Sequence, residues 1–147
     1  MNNVDLTKLR SPHFSIAELC ASDTAKVKRI DNTPSEEVVS NLMALIWNVL
    51  EPARVQLGCP IIVTSGYRSP ELNKAIGGVS NSQHQYGQAA DLVCTNREDK
   101  LRLFDILKRM DIDQLLFEKN SKGTQWIHVS FKTDGTNRNY VCSNYKA

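Results

Sequence analysis

One long apolar stripe constrains this chain more than any other feature. Val38, Val39, Leu42, Leu45, Ile46, Val49 and Leu50 recur at the three- and four-residue spacing of a single helix face. Thr33 followed by Glu36 has the pattern in which two side chains satisfy the orphaned backbone donors of a helix start, and Pro34 suits the first helical position. Pro52 is expected to kink or end the regular part, and Gly58 to stop the helix in a left-handed conformation. A helix with one apolar face must bury it against another element. The short β-branched run Ile61-Ile62-Val63-Thr64 reads as the first strand of that partner.

The helix-start pattern recurs at Ser15/Glu18 and Thr95/Glu98. Ser65-Gly66-Tyr67-Arg68-Ser69-Pro70 announces a turn, with Ser69 and Pro70 opening a short helix that Gly77 and Gly78 end. Residues 79–88 form an irregular polar connection to a strand over Ala89 to Cys94. Leu101, Phe104, Leu107 and Met110 mark the face of a further helix. Gln114 to Glu118 and Gln125 to Phe131 read as strands joined by a hairpin through Lys119 to Thr124, and a last strand falls around Tyr140 to Ser143. Helices placed before and between mainly hairpin-forming strands argue for an α+β domain with a small antiparallel sheet, not a doubly wound parallel one. At 147 residues, with no internal repeat, linker or low-complexity stretch, one domain over residues 1–147 is expected.

Composition removes several function classes. The formal net charge is only +2 and no run of like charge occurs, so nucleic acid is not implied. No apolar stretch approaches a membrane span, and Met1 to Arg10 lacks the apolar region of a secretory signal, which leads to an expectation of synthesis in the cytoplasm. Cys20, Cys59, Cys94 and Cys142 form no Cys-x-x-Cys pair; they read as buried free thiols, with two disulfides the alternative. There is no Gly-x-Ser-x-Gly elbow, phosphate loop or dinucleotide fingerprint, and no pattern joining a cysteine to a histidine as nucleophile and base.

Of three histidines, two sit in segments unlike ordinary core. His84 lies in the polar loop that leads to Asp91, a carboxylate between Ala90 and Leu92 whose burial in a strand would be costly unless paired or coordinated. In Trp126-Ile127-His128-Val129-Ser130, strand alternation puts His128 with Trp126 and Ser130 on one face and the apolar residues on the other. Two imidazoles and a carboxylate are proper zinc ligands that leave a fourth position open. Each residue alone also has an ordinary reading: a loop histidine, a capping or salt-bridged aspartate, a hydrogen-bonded strand histidine. Taken together the three favour a metal.

Ser65-Gly66-Tyr67-Arg68-Ser69-Pro70, then Ser82-Gln83-His84 leading through Gly87 and Ala89 to Asp91, then Trp126-Ile127-His128-Val129-Ser130, resembles the zinc D-Ala-D-Ala carboxypeptidase family. Its relatives include phage endolysin peptidases, vancomycin-resistance dipeptidases and hedgehog signalling domains. The resemblance covers roughly residues 13–131. It implies an α+β fold with a small antiparallel sheet flanked by helices, a Zn2+ ion bound by His84, Asp91 and His128, and hydrolysis of peptidoglycan stem or cross-link peptides at the cell wall, a phage lysin among the possible forms.

In several relatives a carboxylate precedes the second zinc histidine by three residues, but here that position is Gln125, which cannot accept a proton usefully at neutral pH. If the hairpin pairs Glu118 with Trp126, Glu118 emerges on the same face as His128 and is the expected catalytic base; its ordinary reading is a solvated strand-end carboxylate. Arg68 is expected to meet a substrate carboxylate or the oxyanion, the alternative being a brace for the turn. Ser82, Gln83, Tyr86 and Trp126 are expected substrate contacts, and His13 a packing or surface residue. Gln125 also keeps open a zinc-containing but non-catalytic module, for cell-wall recognition or phage structure.

Overall fold

The computed structural model describes residues 5–146, so both ends of the expected domain over residues 1–147 lie outside the described residues. Short helices α1 (Ile16–Cys20) and α2 (Asp23–Lys28) precede the long helical run α3 (Glu36–Leu45), a π-helical turn (Ile46–Leu50) and α4 (Glu51–Leu57). Ser15 caps α1 as expected. The cap of α3 is Ser35, not Thr33: the Thr33 amide donates to Asp31 Oδ1 at 2.9 Å, and Pro34 disfavours a helical conformation at the residue before it. No pattern pointed to α2, because Ala25 is its only buried residue and it has no apolar stripe to read.

Pro52 has no N–H to give the carbonyl four residues back, and its ring crowds that turn. The helix responds by widening into the π turn immediately before it and then continues to Gly58, at φ 77. The apolar stripe survives the change of pitch, with Leu42, Leu45, Ile46, Val49 and Leu50 all fully buried. Glu51, buried on this run, accepts from the His13 amide at 2.8 Å and lies 2.6 Å from His13 Nδ1, so His13 fastens the N-terminal segment to the helix.

The sheet has five strands in the order β1-β2-β4-β3-β5: β1 (Ile62–Ser65), β2 (Ala89–Val93), β3 (Gln114–Lys119), β4 (Gln125–Ser130) and β5 (Tyr140–Lys146). Helix α5 (Pro70–Ala75), capped by Ser69, and a 3-10 turn (Gln83–Tyr86) fill the connection from β1 to β2. Helix α6 (Arg97–Lys108) leads from β2 to β3, and its cap is Asn96, not Thr95, since an Asn one residue later can take the same role. Strand alternation splits the sheet into two faces. Ala90, Leu92, Leu115, Phe117, Ile127 and Val129 pack into the core with α3, α4 and α6. On the opposite face the register lines up Ser65, Asp91, His128, Leu116 and Cys142 in one row across all five strands.

The expected antiparallel sheet is in fact mixed, because β5 pairs with β3 in parallel. The slot beside β4 is already occupied by β2, so the chain leaving β4 turns back along the free edge of β3 in the same direction as β3. Asp113, fully buried just before β3, anchors this return. It accepts from Arg138 Nε at 2.9 Å and Nη2 at 2.8 Å, and from the Arg138 amide at 3.1 Å. These hydrogen bonds hold its carboxyl at about 2.

All four cysteines are free and partly buried, and burial pushes Cys20 up to about 12 and Cys94 to about 11, which keeps them protonated. Among the described residues no helix is long and apolar enough to cross a membrane.

Close packing places the turn after β1. A Cβ on Gly66 would lie 2.2 Å from the Leu19 carbonyl oxygen, and the next amide, Tyr67 N–H, donates to that same oxygen at 2.7 Å. Gly66→Ala must therefore move backbone, and a loss of about 2 kcal/mol or more is expected, read as a fall of roughly 4 °C or more in Tm; an unchanged Tm would exclude this close approach. A second expectation concerns acid. A depressed carboxyl contributes stability that is complete above its unfolded value and is lost as pH falls through the folded one. The Asp113 contribution, on the order of 2 kcal/mol, should be full at neutral pH and fall progressively as pH drops from about 4 to and below about 2. Denaturant titrations of wild type and Asp113→Asn should thus converge over that window; a constant gap down to pH 2 would show that the carboxylate charge contributes nothing.

Candidate metal centre

Three segments deliver three donors to one point. Asp91 and His128 are direct cross-strand partners in the β2–β4 pairing, which brings their side chains together on the same face. His84 arrives from the 3-10 turn, whose start is capped by Ser82 Oγ accepting from the His84 amide at 3.3 Å. Gly87 ends the turn at φ 73, where a Cβ would also press to 2.7 Å from the Val38 carbonyl. The ligand atoms of His84, Asp91 and His128 all lie within 4.8 Å of one another, and all three residues are buried or nearly so.

The hydrogen bonds around these groups define which atoms face inward. His84 Nδ1 lies 2.7 Å from the Gly66 carbonyl oxygen, which can only accept, so Nδ1 carries the proton and Nε2 presents its lone pair. That lone pair faces Asp91 Oδ1 at 3.3 Å, and His128 Nδ1 sits 3.0 Å from the same oxygen. Two acceptors facing each other at this range call for a cation between them or for protonation of His84. A donor set of two imidazole nitrogens and one carboxylate oxygen fits a zinc-like ion with one coordination position left open.

Asp91 Oδ2 is engaged separately. Arg68 Nη2 donates to it at 3.3 Å, while Arg68 Nε donates to Ser65 Oγ at 3.0 Å and Nη1 reaches Asn73 Oδ1 at 3.5 Å. Burial alone would raise the Asp91 pKa, but its contacts with His84 and His128 outweigh it and hold the carboxyl well below the usual range. Burial also lowers the Arg68 pKa, with Asp91 and Glu118 opposing that shift. Arg68 is therefore paired with Asp91, and its part-buried guanidinium lies within the same charged group.

Glu118 pairs with Trp126, the register on which its expected role depends, and so shares the face of His128. Burial raises its pKa most strongly, with His128 pulling the other way. Trp126 Nε1 is buried without a hydrogen bond of normal geometry, although it lies close enough to Glu118 to favour the carboxylate. Gln125 is held elsewhere, its Oε1 accepting from Arg97 Nη1 of α6 at 2.7 Å. Gln83 Nε2 donates to Asp113 Oδ2 at 3.0 Å, which ties the His84 turn to the start of β3. Tyr86 is half exposed, with its carbonyl held by Asn41 of α3.

Sequence reading overlooked the residues that hold the Arg68 turn in place. Asn32 Nδ2 donates to the carbonyls of Cys20 at 2.9 Å and Tyr67 at 3.1 Å, and its Oδ1 accepts from the Ser69 amide at 2.7 Å. Asn73, buried in α5, donates to the Val79 carbonyl at 2.8 Å as well as meeting Arg68. Asn32 stands 37 residues from Ser69, so no local pattern could signal the pairing; an Asn within the short helix after Pro70 was the one available hint for Asn73.

Comparison with known proteins agrees with this geometry. An 82-residue stretch is 35% identical to the zinc D-Ala-D-Ala carboxypeptidase of Streptomyces albus G, covering 54% of this chain and 31% of that protein, so the chain spans about a third of the length of the curated relative it matches. Residues 12–130, which contain every donor described above, match the sequence model of Peptidase M15, and the chain belongs to that family.

Proposed function

We propose that this protein is a zinc-dependent peptidase of bacterial peptidoglycan, cutting stem or cross-link peptides at the cell wall. The observation that carries the reading is the convergence of His84, Asp91 and His128 on one point of a sheet face. The family match and the zinc carboxypeptidase named for Streptomyces albus G support it. His84 Nε2, Asp91 Oδ1 and His128 Nδ1 are the proposed ligand atoms. Zinc held there would supply Lewis acidity, polarising the scissile carbonyl and acidifying the attacking water.

The chain's own groups do the rest. Glu118, on the same face as His128, takes the proton from the attacking water and returns it to the leaving amine. Its raised pKa makes it a better proton acceptor than an ordinary glutamate. Arg68, locked by Ser65, Asn73 and Asp91, fixes the orientation of the Asp91 carboxylate and sets a positive charge beside the place where the oxyanion forms. The Gly66 carbonyl holds the His84 tautomer. The engagement of Gln125 by Arg97 is the one observation favouring a zinc-containing recognition module without catalysis, since it leaves Glu118 as the sole proposed base.

Glu118→Gln is expected to lower kcat on purified peptidoglycan by about 10²-fold or more while zinc content stays at one ion per chain. Equal amine release by wild type and variant at matched zinc would remove Glu118 as the base; no release by either, with zinc bound, would favour the recognition module. Each of His84→Ala, Asp91→Ala and His128→Ala should weaken zinc binding strongly, because a three-donor site cannot readily lose one. Metal analysis after dialysis against a mild chelator checks this, and full occupancy in all three would refute the ligand assignment.

A further inference from the structure

A concavity of about 560 Å³ lies on the free-edge side of the sheet, lined by Gln114 and Leu116 of β3, Tyr140 and Val141 of β5, and Arg138 and Asn139 just before β5. Gln114, Leu116 and Tyr140 belong to the same sheet face as His128. Leu116 is the direct cross-strand partner of His128, which puts their Cβ atoms roughly 5 Å apart. The concavity therefore begins beside the metal centre. Arg138 to Val141 lie beyond residue 130, where the family match ends.

The far end of this concavity carries positive charge. Buried Asp113 meets two cations, Arg138 at 2.8 Å and Lys132 at 3.9 Å, so one positive charge is left over. Arg138 is half exposed and commits Nε and Nη2 to Asp113, while Nη1 has no hydrogen-bond partner among the described residues. The guanidinium is thus fixed along one edge and open along another, the condition under which an arginine recognises a carboxylate with little loss of freedom. Asn139, at φ 50, accepts from the Ile112 amide at 3.0 Å and donates its own amide to the Ile112 carbonyl at 2.9 Å, which keeps the wall of the groove in place.

We propose that this groove is a substrate subsite in which Arg138 binds a peptide carboxylate and Leu116 receives a small apolar side chain beside the metal centre. The proposal rests on the peptidase reading above. Spacing sets where the carboxylate lies. Asp113, which holds Arg138, precedes Leu116 by three residues, or roughly 10 Å of strand, and an extended peptide covers that span in about three residues. The recognised carboxylate therefore stands about three residues from the cleaved bond, as a chain terminus or an acidic side chain. Arg138 is a specificity-determining residue under this assignment.

The test is binding, measured by calorimetry on zinc-loaded protein, of N-acetylated tri- to penta-alanine peptides in L and D forms. Each is compared as free acid and as C-terminal amide, and each carries one internal Glu or Gln, so that terminal and side-chain carboxylates are read separately. Wild type is expected to bind the better carboxylate form at least 10-fold more tightly than its neutral counterpart, and Arg138→Gln to bring that ratio to about one with zinc content unchanged. If Arg138→Gln does not fold, Tyr140→Trp fills the groove from a half-exposed position and should weaken the acidic peptide at least 10-fold. Equal affinity for acid and neutral forms, failure of every form to bind, or an unchanged ratio in folded Arg138→Gln overturns the subsite. Selective binding without hydrolysis would instead keep the subsite and remove the peptidase reading, while hydrolysis without selectivity would do the reverse.

Discussion

The Asp91 carboxylate is the group on which the rest of the site depends. A buried, ionised carboxylate is tolerated only where opposite charge and hydrogen bonds surround it. Asp91 receives Arg68 on one oxygen and the two imidazoles on the other. Its partners come from the turn after β1, the 3-10 turn before β2, and β4. These partners meet the carboxylate only when all three segments are in register, so the electrostatics of the site follows the topology of the sheet.

The sheet makes that convergence possible by keeping its two faces chemically distinct. Leu92, Ile127 and Phe117 bury one face under the long helical run and α6. The neighbouring positions Asp91, His128 and Glu118 then necessarily emerge on the other face. A one-residue slip in any pairing would send charge into the core and apolar side chains to the site. Packing on the hidden face thus holds the register that the chemistry needs.

Asp113 repeats the device at the other end of the site. It is as buried as the core, and its Oδ2 accepts from both Arg138 and Gln83. Through Gln83 it steadies the turn that carries His84, and through Arg138 it seats β5 along β3. Two buried carboxylates therefore pin both the metal donors and the edge of the sheet that borders them.

Several parts of this arrangement were legible in the chain itself. Local patterns mark the stripe from Val38 to Leu50, the caps Ser15 and Ser69, the Gly58 stop and the alternation of β4, because each depends on residues within a few positions of one another. The polar setting of His84 and the cost of burying Asp91 were likewise visible, and the hairpin itself was legible, while its register, which pairs Glu118 with Trp126, came from the folded sheet. Three other features depend on long-range contacts: the parallel seating of β5, the pairing of Arg68 with Asp91, and the reach of Asn32 across the turn. Sequence alone determined which residues could carry the chemistry, since residue type and local periodicity set charge, donor atoms and sheet face. Only the tertiary structure decided which atoms of those residues meet, because pairings such as Asp91 with His128 and His84 with Gly66 join separate segments and are selected by the packing of the whole core.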